Sequence, residues 1–296
     1  MNRRVVRIVC VVCCLLFSGR MQNRSARAAE EETSSVSEIE SKQLIELSRG
    51  ITSFGAAVLE DALYVYGGHF GSAHSYSLDE QSNQLLRLDL KKPTVWKELA
   101  TGPRLQGLAL LAHGGRLYRV GGFSARNKKG KDDDLWSQDS FARFDPKTNK
   151  WEELPALPTP RSSHDAVVVG DSIYVVGGWS MQGSAENDWQ KAALAVDLSA
   201  SPLQWKKLPT PPFERRALSL AQLDGKVYAI GGISSEGDLT NEVAVYDPQA
   251  KRWSAASELQ GEEIEGFGAS AFSTGDQLYV STLTGSLQRL NAAGNG

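Results

Sequence analysis

Apolar residues in this chain fall in short runs rather than at helical spacing. The runs Ala56–Leu59, Leu108–Ala112, Ala166–Val169, Leu218–Leu223 and Ala269–Phe272 are each followed, across a short turn, by a second β-rich run. The second runs hold Tyr64, Tyr118, Tyr174, Tyr228 and Tyr279. The turns read Glu60-Asp61, Gly114-Gly115, Gly170-Asp171, Asp224-Gly225 and Gly275-Asp276, which are hairpin signals. Both runs are almost continuously apolar, as expected of strands buried on both faces. A third short segment ends in Asp89, Asp145, Asp197, Asp247 or Asn291. A Trp then closes four of the copies: Trp96, Trp151, Trp205 and Trp253. The pattern predicts units of four strands joined hairpin-fashion, and no helix of useful length after the first 28 residues.

The units are repeats. Tyr64, Tyr118, Tyr174 and Tyr228 are each followed three positions later by Gly-Gly, at spacings of 54, 56 and 54 residues. In the fifth unit no Gly-Gly follows Tyr279 at this spacing. Four-stranded sheets recurring about every 50 residues imply radial stacking, an all-β propeller of about five blades. The blades are expected near 51–100, 104–155, 161–209, 215–258 and 266–296. The Gly-Gly pairs allow positive φ or close backbone approach, and the Tyr and Trp rings fill the wedges between blades. The third-strand acid precedes the Trp by seven, six, eight and six residues. Counted on from Asn291, the last outer strand would begin beyond Gly296. Leu44-Ile45-Glu46-Leu47 reads like Trp96-Lys97-Glu98-Leu99, so residues 43–48 are expected to complete the fifth blade.

Composition fits a globular chain, at 41% hydrophobic and 23% charged residues. The formal charge of -3 conceals an asymmetry. Residues 1–28 carry six Arg and no acid, and the remainder carries 26 basic against 35 acidic residues. That balance argues against a nucleic-acid partner. Arg3, Arg4 and Arg7, the apolar run Ile8–Phe17 and Ala26-Arg27-Ala28 read as a signal peptide cleaved after Ala28. Export to a periplasmic or extracellular compartment follows, with 29–42 a flexible acidic leader and 43–296 the propeller. Cys10, Cys13 and Cys14 are the only cysteines, so the mature protein has no disulfide, thiolate nucleophile or cysteine metal ligand. No membrane span is expected after cleavage, and the propeller is expected to be a monomer.

Arg161–Gly178, "RSSHDAVVVGDSIYVVGG", together with Phe144–Trp151, "FDPKTNKW", resembles the kelch repeat. The resemblance covers roughly 44–296. It implies that the first strand of each blade lines the central channel and that the loops between strands two and three share one face. Four of these loops are long: 69–85, 123–140, 179–191 and 233–241. Long loops on a rigid scaffold carry function, and they hold Trp136, Trp179 and Trp189, joined by Phe70 and Phe123. Arg104, Arg161 and Arg215 stand at the start of the channel strand, near Arg216, His164, Asp165 and Glu265.

Two functions are open. The first is a non-catalytic module binding a glycan, peptide or protein on the long-loop face, through Arg104, Arg161, His164, Arg215, Trp136, Trp179 and Trp189. The second is a sugar-processing enzyme, since some exported bacterial kelch proteins are sialic-acid epimerases; Glu265, Arg161 and His164 would then carry the chemistry. No nucleophile elbow, zincin, P-loop or dinucleotide motif is present. The four His show no metal spacing, and neither a metal nor a cofactor is expected.

Overall fold

The computed structural model describes residues 41–291. The expected signal peptide and most of the acidic leader lie outside them. The chain divides between Leu44 and Ile45; of the first part only 41–44 are described, without regular secondary structure. The second part is an all-β propeller of five blades.

Blade one comprises Gly55–Leu59, Ala62–Tyr66, Leu85–Asp89 and Trp96–Glu98. Blade two comprises Ala109–His113, Arg116–Val120, Phe141–Asp145 and Lys150–Glu153. Blade three comprises Asp165–Val169, Ser172–Val176, Leu194–Asp197 and Trp205–Lys207. Blade four comprises Ser219–Leu223, Lys226–Ile230, Val243–Asp247 and Arg252–Ala255. All neighbours within a blade are antiparallel. The tight hairpins follow from the predicted turns: Gly114-Gly115 has φ of 54° and 72°, and Asp224-Gly225 has 50° and 73°. Positive φ at both central residues gives the turn whose twist matches the flanking strands.

Each joint between successive blades has an apolar core. Tyr64, Tyr66 and Leu85 of blade one pack on Leu105, Leu110 and Leu117. Val120 and Phe141 of blade two meet Ile173 and Val196, and the pattern continues through blades four and five. The closing Trp residues work across these joints. Trp151 meets Tyr66 edge-on at 5.3 Å and Trp205 meets Phe141 at 5.1 Å. Their indole N–H groups donate to carbonyls of the preceding blade, Ala100 O and Pro155 O, at 3.2 and 2.9 Å.

A second set of bonds runs nearer the channel. The second glycine of each pair donates its N–H to the next blade: Gly68 to Leu105 O, Gly122 to Arg161 O and Gly178 to Arg215 O at 2.8 Å, and Gly232 to Gly266 O at 2.9 Å. Both glycines of every pair have positive φ. A Cβ on Gly121 or Gly177 would strike the neighbouring blade's backbone or side chains, so the glycines are needed for contact as well as for conformation.

Blade five differs from the expectation. It has three strands among the described residues, Ser270–Thr274, Gln277–Ser281 and Leu287–Asn291. Residues 43–48 do not add the fourth strand. They form no strand, and Ile45 O accepts the Trp96 indole N–H of blade one at 3.1 Å. This is the contact that Ala100 and Pro155 make with the Trp of the next blade. The segment docks on blade one in a register other than the one its likeness to Trp96–Leu99 suggested, since Ile45, and not the residue after Leu47, takes the place of Ala100 and Pro155. At blade five Thr282 N–H bonds to Ser286 O at 3.0 Å, as the first glycine of a pair does within its own blade, and Leu283, at the place of Gly68, has no described bond to blade one. Consistently, Ala56 on the inner strand of blade one is exposed, whereas Leu110 and Leu220 at the same position in blades two and four are 5% and 3% exposed.

Two substitutions separate conformation from contact. Gly177→Ala and Gly170→Ala both place alanine at positive φ, but nothing lies within 4 Å of a Cβ at Gly170, while one at Gly177 would overlap Leu218 and stand 2.6 Å from Arg215 O. In urea denaturation Gly177→Ala should be less stable than Gly170→Ala by about 1–3 kcal/mol, the range for overpacking.

Candidate functional site

The joint bonds set the register of the strand entries. Leu105, Arg161, Arg215 and Gly266 are equivalent, because each supplies the carbonyl that receives the glycine N–H. Arg161 and Arg215 therefore share a position, and Arg104 does not. Arg104 is one residue earlier, is exposed, and donates Nη1 to Gln81 O at 2.7 Å and Leu78 O at 3.2 Å in blade one.

Arg161 is completely buried. Its Nη1 donates to Gly177 O at 3.0 Å and its Nη2 to Ala192 O at 2.8 Å. Burial without a carboxylate partner lowers its pKa to about 10. Arg215 is also buried and donates to Glu242 O at 3.1 Å and to the Glu242 carboxylate. Both guanidiniums join the end of the second strand to the start of the third in their own blades.

His164 is 6% exposed, its ring lying against Gly121 and its backbone against Gly178. Burial, then the charge of Arg161, pushes its pKa down to about 3. Asp165 does not pair with it. The Asp165 carboxylate accepts Leu220 N–H at 2.7 Å from blade four and Ala166 N–H at 2.8 Å. Burial raises its pKa to about 6. Glu265 lies in the 3-10 turn Glu263–Gly266 and accepts Thr284 Oγ1–H at 2.6 Å and Ser286 Oγ–H at 3.3 Å. Hydrogen bonds from Thr282 and Thr284 lower its pKa. Thus Arg161 and His164 are neighbours, and Glu265 is engaged by hydroxyls of blade five.

The loop tryptophans separate too. Trp136 donates its indole N–H to Asp134 Oδ1 at 2.5 Å, and Arg126 stacks on it at 4.0 Å. It covers its own loop. Trp179 and Trp189 face each other across the two-stranded ribbon Trp179–Ser180 and Asp188–Trp189, with ring centroids 5.6 Å apart. Over Trp179, at 4.1 Å, lies the guanidinium of Arg216 from blade four; its distance to Trp189 is 5.8 Å. Burial lowers the Arg216 pKa. Neither Arg216 Nε nor Trp179 Nε1 has a hydrogen-bond partner, and no described carboxylate pairs with Arg216. Tyr76, from the long loop of blade one, lies within electrostatic reach of Arg216 and packs edge-on against Phe123 at 5.9 Å. Phe123 is buried, and Phe70 is covered by Arg49 at 4.1 Å. Among the described residues no cluster of His, Cys, Asp and Glu is arranged to hold a metal ion.

The sequence pattern gave Arg216 no special place beside Arg215. Its signal was positional: Thr52, Gln106, Ser162 and Arg216 each bridge the residue after a Gly-Gly pair, and only Arg216 is charged.

The seam residues have opposite pH effects. For His164 the folded pKa of about 3 lies below the ordinary 6.5. Its contribution to stability is complete above pH 6.5 and is lost as pH falls toward 3. For Asp165 the folded pKa of about 6 exceeds 3.8, so its contribution is present at low pH and is lost as pH rises through 6. Wild type should lose stability between pH 6.5 and 4 more steeply than His164→Gln, by up to about 1.4 kcal/mol per pH unit, measured by denaturant titration at each pH.

Comparison with known proteins agrees with the repeat pattern. The profile of the KLHDC2/KLHL20/DRC7 Kelch-repeats domain matches residues 17–178 and 108–291. The chain is 26% identical to mouse Kelch-like protein 35, over 70% of this chain and 31% of the mouse protein. It is 28% identical to beta-scruin of Limulus polyphemus, over 65% and 20%, and 30% identical to cowpox virus Kelch repeat protein C2, over 62% and 32%. It therefore spans about a third or less of the length of these relatives. Among solved structures, one titled "Structure of YjhT" matches with a TM-score of 0.63 at 19% identity, over 80% of this chain and 73% of that one. That likeness is one of fold. With a family profile matched along nearly its whole length and the repeat geometry in place, the chain belongs to the kelch-repeat family.

Proposed function

We propose that this protein is an exported, non-catalytic kelch propeller that binds an acidic segment of a partner protein on its long-loop face, at Trp179, Trp189 and Arg216. The observation that carries this reading is the unpaired Arg216. A half-buried guanidinium normally has a carboxylate partner, because burying an isolated charge is costly. Here the charge is held against two indole faces with no such partner. A ligand carboxylate would supply it in bidentate form, and the rings would cover the ligand's apolar part. Among the described residues no helix is long and apolar enough to cross a membrane. Less supports the sugar-processing alternative, since His164 is buried and neutral and Glu265 is held by hydroxyls of blade five.

The test is selection from a random peptide library on the immobilised full chain. Enrichment of Asp- or Glu-containing peptides is expected. Trp179→Ala and Arg216→Ala should each weaken a selected peptide by about 1–3 kcal/mol, while Asp171→Ala on the opposite face leaves it unchanged. Selection of peptides without acids, or loss of binding only in step with the melting temperature, contradicts the reading.

A further inference from the structure

Blade one contains a cavity of about 380 Å3. It is lined by Ile51, Gly67, Gln84, Arg49, Arg104 and Glu98, among others. The first three have counterparts in every blade. Ser53, Gly107, Ser163 and Ala217 form a chain of backbone bonds from blade to blade, which places Ile51 two residues before the bonded position, as Leu105, Arg161 and Arg215 are. Gly67 corresponds to Gly177 and Gly231, the first glycine of each pair. Gln84 corresponds to Glu242, since each supplies the carbonyl that receives the first glycine's N–H. In blade four these partners are joined by Arg215, and in blade three Arg161 joins Gly177 O to Ala192 O. In blade two Leu105 occupies the position and is fully buried. In blade one Ile51 is too short to reach these groups, and the space remains as the cavity.

Three further lining groups are charged, and none has an ion-pair partner among the described residues. The Glu98 carboxylate has no ion-pair or hydrogen-bond partner among the described residues. Arg49 stacks on Phe70 at 4.1 Å, and Arg104 donates only to carbonyls. Neither arginine has a carboxylate. The cavity therefore combines a position that holds a guanidinium in two other blades with a carboxylate at its side and two arginines lacking an anion.

We propose that this cavity binds a small guanidino acid, its guanidinium taking the position that Arg161 and Arg215 fill and its carboxylate meeting Arg49 and Arg104. Glu98 balances the guest's positive end, and the two arginines balance its negative end. A guest with only a positive charge meets two uncompensated cations, and one with only a negative charge leaves the vacant position unfilled. This site is separate from Trp179 and Arg216, so the two proposals fail independently.

The probe is free L-arginine, titrated calorimetrically into the full chain, with agmatine, which lacks the carboxylate, and citrulline, which lacks the guanidinium charge, as comparisons. L-arginine should bind at least tenfold more tightly than either. Ile51→Arg supplies the missing guanidinium from the chain itself. It should abolish L-arginine binding while the melting temperature is unchanged or raised. Arg49→Ala should weaken L-arginine more than agmatine. Absence of L-arginine binding, equal binding of all three probes, or full binding by a folded Ile51→Arg variant would overturn the proposal.

Discussion

Everything in this propeller depends on one backbone hydrogen bond repeated at four joints: the second glycine of each pair donating to the carbonyl at the entry of the next blade. The bond requires the chain to leave the second strand at positive φ and to pass within contact distance of its neighbour, and both demands select glycine. It also fixes the register. Once Gly122 is bonded to Arg161 O, the apolar faces of blades two and three meet in the order their sequences specify, and the long loops emerge on the same face. Apolar burial supplies the bulk of the stabilisation at each joint, but the bond decides which surfaces are buried.

That register determines the fate of each arginine. Arg161 and Arg215 carry the entry carbonyls, so their side chains are directed into their own blades and are used on carbonyls there. One residue later, Arg216 points to the loop of the preceding blade and lies over Trp179. One residue too early, Arg104 turns outward to the loop of blade one. Three arginines of similar appearance in the sequence thus have three environments, and a shift of a single position separates a structural brace from a charge without a carboxylate partner. Where the brace is missing, at Ile51, a cavity remains.

The strands, the blades and the glycine joints were legible in the sequence because each is specified locally: Tyr, Gly-Gly, the third-strand acid and Trp recur at fixed spacing. The long-loop face was legible from loop length. The site was only half legible. Trp179 and Trp189 were found as loop aromatics, but their pairing depends on the ribbon register, and Arg216 reaches them from another blade. Arg161 looked like a binding residue because burial cannot be read from residue type. Arg104 was grouped with it by proximity to the strand start, where the carbonyl register assigns Leu105. The segment 43–48 was matched to an outer strand through the likeness of Leu47 to Leu99, but it forms no strand, and Ile45 instead caps the Trp of blade one, a contact that depends on a register the residue types do not reveal.

Amide hydrogen exchange under native conditions tests the primacy of the joints most directly. The N–H groups of Gly68, Gly122, Gly178 and Gly232 should belong to the slowest class, exchanging only through global unfolding. The amide of Leu283, which stands at the corresponding place in blade five and has no backbone hydrogen bond among the described residues, should exchange faster. Glycine amides that exchange as readily as those of the long loops, or a Leu283 amide as protected as the four glycines, would contradict the account.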